Sequence, residues 1–159
     1  MPPRPRSLLA SLVAVACLGA GVAARSAEPP LKVAVLENSP PMAFRDADGR
    51  LTGFSVEVIR ALCAEMQAQC ELQVMVLDRV VDALAGGELD IAAVSLLDTP
   101  ERRKRILFAQ PYFRSITLWY AGPGVALGAR GVRIAVVKGS AQEAYARAQG
   151  WETVGVPTN

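Results

Sequence analysis

Three short polar stretches follow apolar runs and hold the side chains best placed to do chemistry: Glu37–Pro41, Ser95–Thr99 and Lys138–Ser140. The last two stand immediately before helix-start signals. A helix N-terminus offers unpaired amide N–H groups and the positive end of a dipole, so its natural guest is a carboxylate or another small anion. Arg102, one turn beyond Thr99, can add a bidentate guanidinium. Thr99 and Ser140 are also what a plain helix cap requires, and Arg102 shares its segment with Arg103, Lys104 and Arg105, so a surface role stands beside the ligand role. The chain has no histidine, which excludes a histidine-based triad, and no glycine-rich phosphate loop or metal-spaced Cys/His set. No cofactor is implied. Glu57, Asp78 and Asp90 read as solvated or capping carboxylates rather than a catalytic pair.

These residues need elements to position them. Leu31–Leu36 reads as a short buried strand, and Asp46-Ala-Asp-Gly49 as the tip of a hairpin joining Met42–Arg45 to Arg50–Thr52. A helix is predicted from Gly53-Phe-Ser55 to about Met66, capped by Ser55, with Val58, Ile59, Leu62 and Met66 as its apolar stripe. An extended run through Leu72, Val74 and Val76 follows. A helix capped by Asp78 then runs to Ala85 and stops at Gly86-Gly87. Leu89–Val94 is the next strand, and Thr99-Pro100-Glu101 opens a helix with cap, proline and first-turn acid. Ser115–Tyr120 reads as extended, Val132–Val137 as a strand, and Ser140-Ala-Gln-Glu143 as a capping box. The alternation predicts an open, mainly parallel α/β sheet, in which ligands bind beyond the carboxyl ends of the strands.

The first 27 residues read as a secretory signal: Arg4 and Arg6, an apolar run from Ser7 to Ala24, and small residues at Val22-Ala23-Ala24. A retained anchor and a lipoprotein cysteine at Cys17 are the alternatives; the run is short for a span, and Ala14 stands where a lipoprotein signal usually has leucine. This segment holds three of the 17 basic residues and none of the 15 acidic ones. The remainder is therefore 14 basic against 15 acidic, which offers no basic patch for nucleic acid or an anionic membrane. Two cysteines remain, Cys63 and Cys70. In an oxidising compartment they favour a disulfide, against two buried thiols in a cytosolic setting.

The ordered set Pro40-Pro-Met-Ala-Phe44, Asp46-Ala-Asp-Gly49, Leu51-Thr-Gly-Phe-Ser-Val-Glu57, Gly87-Glu-Leu-Asp90, Thr99-Pro-Glu-Arg102, Phe108-Ala-Gln-Pro-Tyr-Phe113 and Val137-Lys-Gly-Ser140 resembles the family 3 bacterial extracellular solute-binding proteins. These are periplasmic receptors of amino-acid ABC transporters. The likeness runs from Leu31 to about Ala146, and the Cys63/Cys70 spacing is similar to the disulfide of the basic-amino-acid binders. It implies a type II periplasmic-binding-protein fold, with a first lobe over 28–113 and a hinge strand plus the start of a second lobe over 114–159. Against the family's pattern that second lobe is incomplete. The resemblance implies that Arg102 grips a ligand carboxylate, that Ser95 contacts the ligand near its amino or carboxylate group, and that Ser140 closes on the carboxylate. Three positions depart from the pattern. Leu97 stands where a hydroxyl is usual, and Ser39 and Leu77 stand where aromatics sandwich the ligand. Glu37 is a candidate partner for a ligand ammonium.

The function so implied is binding, not catalysis: capture of a small polar amino-acid-like or carboxylate solute in the periplasm, with a membrane permease as partner. A ligand-sensing input domain and a non-functional truncated remnant are the alternatives.

Overall fold

The computed structural model describes residues 28–36 and 38–156. Strand β1 (Leu31–Val35) is central, pairing in parallel with β4 (Cys70–Val74) on one side and β5 (Ile91–Ala92) on the other. Val33, Ala34 and Val35 are all fully buried, because both faces of the sheet are covered. Their side chains alternate. Val33 and Val35 pack with Val56, Ile59 and Cys63 of α1 (Phe54–Glu65), while Ala34 packs with Val80 and Ala83 of α2 (Leu77–Ala85). The expected hairpin forms as β2 (Phe44–Arg45) and β3 (Leu51–Thr52), its tip held by Asp46 Oδ1, which accepts from the amides of Asp48 and Arg50.

Several local expectations change once tertiary contacts are present. Ser55 does not cap α1. The N-cap lies two residues earlier at Gly53, whose backbone lies so close to Met42 that a β-carbon would stand 2.5 Å from the Met42 carbonyl oxygen. The amides of Phe54 and Ser55 donate to the carbonyls of Pro41 and Met42, which leaves the buried Ser55 hydroxyl 3.2 Å from the Tyr112 hydroxyl. The buried stripe is Val56, Ile59 and Cys63; Leu62 and Met66 remain 44 % exposed. The Cys63–Cys70 disulfide ties α1 to the start of β4, and Cys63 packs in the cluster with Val33, Val35, Val56 and Ile59. Asp78 likewise does not cap α2, which starts from Val76 without a side-chain cap. β5 is shorter than Leu89–Val94. Before it Asp90 Oδ2 accepts the Lys32 amide, and beyond it the chain turns at Ser95.

Helix α3 (Pro100–Arg103) starts from Thr99, whose hydroxyl accepts the Arg102 amide, as expected. Residues 107–122 form no helix or strand, so Ser115–Tyr120 carries no ladder. This connector is fixed at both ends by rings: Tyr112 and Phe113 against Phe54, and Trp119 against Tyr145 and Trp151. Beyond it, β6 (Arg133–Val137) and β7 (Glu152–Val156) pair in parallel across α4 (Ala141–Ala148). Among the described residues no helix is long and apolar enough to cross a membrane.

Candidate functional site

The strand ends that carry candidate side chains do converge. Leu36 and Ser39 after β1, Leu77 at the start of α2, Val94 and Ser95 after β5, and Ser140 and Gln142 at the start of α4 line one cleft of about 680 Å³. Trp119 and Tyr120 of the connector and the length of β6 complete it. Among the described residues β6 is paired by β7 on one side only, and the cleft runs along β6.

Ser95 is the most unusual residue here. Its φ is +54°, a left-handed conformation that few non-glycine residues adopt. Its hydroxyl is wholly buried and has no hydrogen-bond partner among the described residues. A buried hydroxyl without a partner costs about 1–3 kcal/mol. Ser140 lines the same cleft and also caps α4, accepting the Glu143 amide at 3.0 Å. The cap expected of Ser140 is therefore formed at a residue that also borders the cleft. The capping box is shifted by one residue: the Ser140 amide donates to the Val137 carbonyl, and the Glu143 carboxylate accepts the Gly139 amide at 2.8 Å instead. That hydrogen bond, helped by Arg147 and Lys138, holds the Glu143 carboxyl below its ordinary pKa.

Arg102 separates from its basic neighbours. Arg103 pairs with Asp98 and Arg105 with Asp82, both at the surface. Arg102 is the half-buried one, and burial lowers its pKa. Its Nη1 donates to the Leu97 carbonyl at 2.7 Å and its Nη2 to the Gly139 carbonyl at 2.8 Å. It makes no ion pair among the described residues, and it sits beside the cleft rather than in its lining. Leu97 contributes that backbone oxygen. Its side chain lines a second crevice of about 240 Å³ with Trp119 and Tyr145. Ser39 and Leu77 both border the main cleft, as their register suggested. Glu37 lies outside the described residues. Sequence reasoning missed the pairing of Lys138 with Asp78 at 2.8 Å and the contribution of Trp119. The Lys-Gly-Ser motif marked the first position without revealing its partner.

Similarity to known proteins agrees with this architecture. The chain is 28 % identical to an L-arginine-binding protein of Pseudomonas aeruginosa over 129 residues, covering 78 % of this chain and 50 % of that one. It is 32 % identical over 90 residues to an arginine-binding periplasmic protein of Mannheimia haemolytica, covering 56 % of this chain and 38 % of that one. Thus it spans about half the length, or less, of the curated relatives it matches. Among solved structures, an ancestral amino acid-binding protein described as a precursor of cyclohexadienyl dehydratase superposes with a TM-score of 0.72 at 25 % identity, covering 82 % of this chain and 62 % of that one. An ancestral arginine-binding protein bound to glutamine gives 0.69 at 24 %, covering 81 % and 60 %. The family profile of the bacterial extracellular solute-binding proteins, family 3, matches residues 31–122. With the parallel sheet, the cleft at its strand ends and this match over more than half of the sequence, the chain belongs to that family.

Proposed function

We propose that this chain captures a small amino-acid-like or carboxylate solute in the periplasm and presents it to an ABC permease. On this reading residues 1–27 direct export, 28–113 supply the first lobe, and 114–159 supply the hinge and part of a second. The observation that carries it is Arg102: a half-buried guanidinium beside the cleft with no carboxylate partner among the described residues. Two of its five N–H donors are spent on carbonyls, so three remain for a ligand anion. Those carbonyls belong to Leu97, two residues from Ser95, and Gly139, adjacent to Ser140. On this reading one ligand carboxylate meets the guanidinium, the Ser95 hydroxyl, which has no partner among the described residues, and the N-terminal end of α4.

Relatives named for arginine, for lysine, arginine and ornithine, and for octopine define the panel to try, together with glutamine and simple carboxylates. A binder present at 100 times its Kd should stabilise the chain by about 2.7 kcal/mol in a thermal-shift assay. Arg102→Ala should abolish the shift. A panel without any shift sinks the receptor reading for this chain, and an unchanged affinity in Arg102→Ala removes that residue from the site.

A further inference from the structure

The turn between β6 and α4 rests against the start of α2. Lys138 Nζ lies 2.8 Å from Asp78 Oδ2, and the carboxylate is the more buried of the two groups. Gly139 faces the Asp78 backbone so closely that a β-carbon would stand 2.5 Å from Asp78 Cα, and its φ is +75°. On its other side the Gly139 carbonyl accepts from Arg102. The neighbours of these residues, Leu77 and Ser140, both line the cleft. A glycine in a left-handed conformation, packed backbone to backbone, is a fitted contact and not a passing surface approach.

We infer that Asp78 and Lys138 form a latch that seats the Gly139 turn on α2, holding Ser140 towards Ser95 and keeping Arg102 oriented. Asp78 and Lys138 are then positioning residues: they touch no solute but set the geometry of the groups that do. The latch gives this chain a way to hold the cleft assembled while the connector at 107–122 lacks any hydrogen-bonded ladder. Other charges face the lysine from its own element. Glu143, one turn into α4, adds to the attraction, and its carboxylate is shared with Arg147 and the Gly139 amide. Breaking one exposed ion pair shifts such an equilibrium by a factor of about two to five, and salt weakens it further. The role assigned to the latch in capture rests on the receptor reading above; the latch itself does not.

Spin labels on non-cysteine handles at the exposed positions Glu65 and Gln149 would report the separation of α1 and α4 in the full chain, with circular dichroism confirming that each variant is folded. The wild type should give one narrow distance distribution. Lys138→Met and Asp78→Asn should each add a longer-distance population, as should 1 M NaCl on the unmodified chain, whereas Lys138→Arg should not. A distribution unchanged in Lys138→Met and in high salt overturns the latch. So does a Lys138→Arg variant that opens as far as Lys138→Met. With any panel compound that binds, Lys138→Met should weaken affinity in proportion to the longer-distance population it adds, by less than the roughly two- to fivefold change in the equilibrium itself. If no compound binds, the receptor reading falls while the distance measurement still decides the latch.

Discussion

Reducing the Cys63–Cys70 disulfide isolates the contribution of one constraint without altering any side-chain volume. The two cysteines are seven residues apart, joining the end of α1 to the start of β4. In the chain-entropy account, a loop of that size restricts the unfolded state by about 8 cal/mol/K, or about 2.4 kcal/mol at 25 °C. For a folded region of the size described, an unfolding entropy of about 2.1 cal/mol/K per residue converts this to a loss of about 9 °C in Tm. Local packing should move in the same direction, because Cys63 sits in the cluster with Val33, Val56 and Ile59. The assay is far-UV circular dichroism melting of one preparation with and without a phosphine reductant. Thiol titration must confirm that reduction releases two additional thiols. A Tm change below about 2 °C with both thiols released would refute the reasoning, since β4 and α1 would then be held by packing alone. If Cys63 and Cys70 already titrate as free thiols in denaturant before reduction, the bridge itself is refuted.

Three further outcomes follow from particular contacts. Gly53→Ala should destabilise the chain by about 2 kcal/mol or more in denaturant titration, since the added carbon meets Met42 backbone and φ is +121°. Ser140→Ala should cost about 1 kcal/mol through the lost α4 cap and also weaken any ligand that shifts melting; Ser140→Thr should restore the stability. Acidification should loosen the β6–α4 turn. The Glu143 carboxyl titrates below its ordinary value of 4.5, so its stabilising contribution is complete above that pH and is lost as pH falls through the lower folded-state value. Denaturant midpoints measured from pH 7 to pH 3 should drop more in the wild type than in Glu143→Gln, and parallel curves would contradict the assignment.

What the sequence disclosed, and what it withheld, divides by distance along the chain. Thr99 and Ser140 were recognisable as caps because a cap is made within three residues. The Asp46 turn, the Gly86-Gly87 stop and the parallel order of the sheet are equally local or periodic signals. Ser55 and Asp78 looked like caps by the same logic and are not, because their surroundings come from elsewhere: the Met42 backbone for one, Lys138 for the other. Apolar residues at 58, 59, 62 and 66 fit a helical period about as well as those at 56, 59 and 63, so the pattern alone points to Leu62 and Met66, whereas packing against Val33 and Val35 uses the second face. For the site, the three strand ends were readable, but the state of each side chain was not. That Arg102 spends its donors on carbonyls five and 37 residues away, or that Ser95 is left-handed with a buried hydroxyl, depends on contacts no local pattern encodes.

Ser95 also gives this fold an internal conflict of interest. A left-handed non-glycine residue costs about 1–2 kcal/mol, and burying its hydroxyl unpaired adds to that. Glycine would relieve both, so Ser95→Gly should raise the melting temperature of the empty chain by a few degrees while weakening ligand capture. A search for stabilising substitutions would then select against this serine, whereas a search for binding would keep it. The position is a point where robustness and affinity trade against each other, and one variant measured for both would show the two shifts in opposite directions.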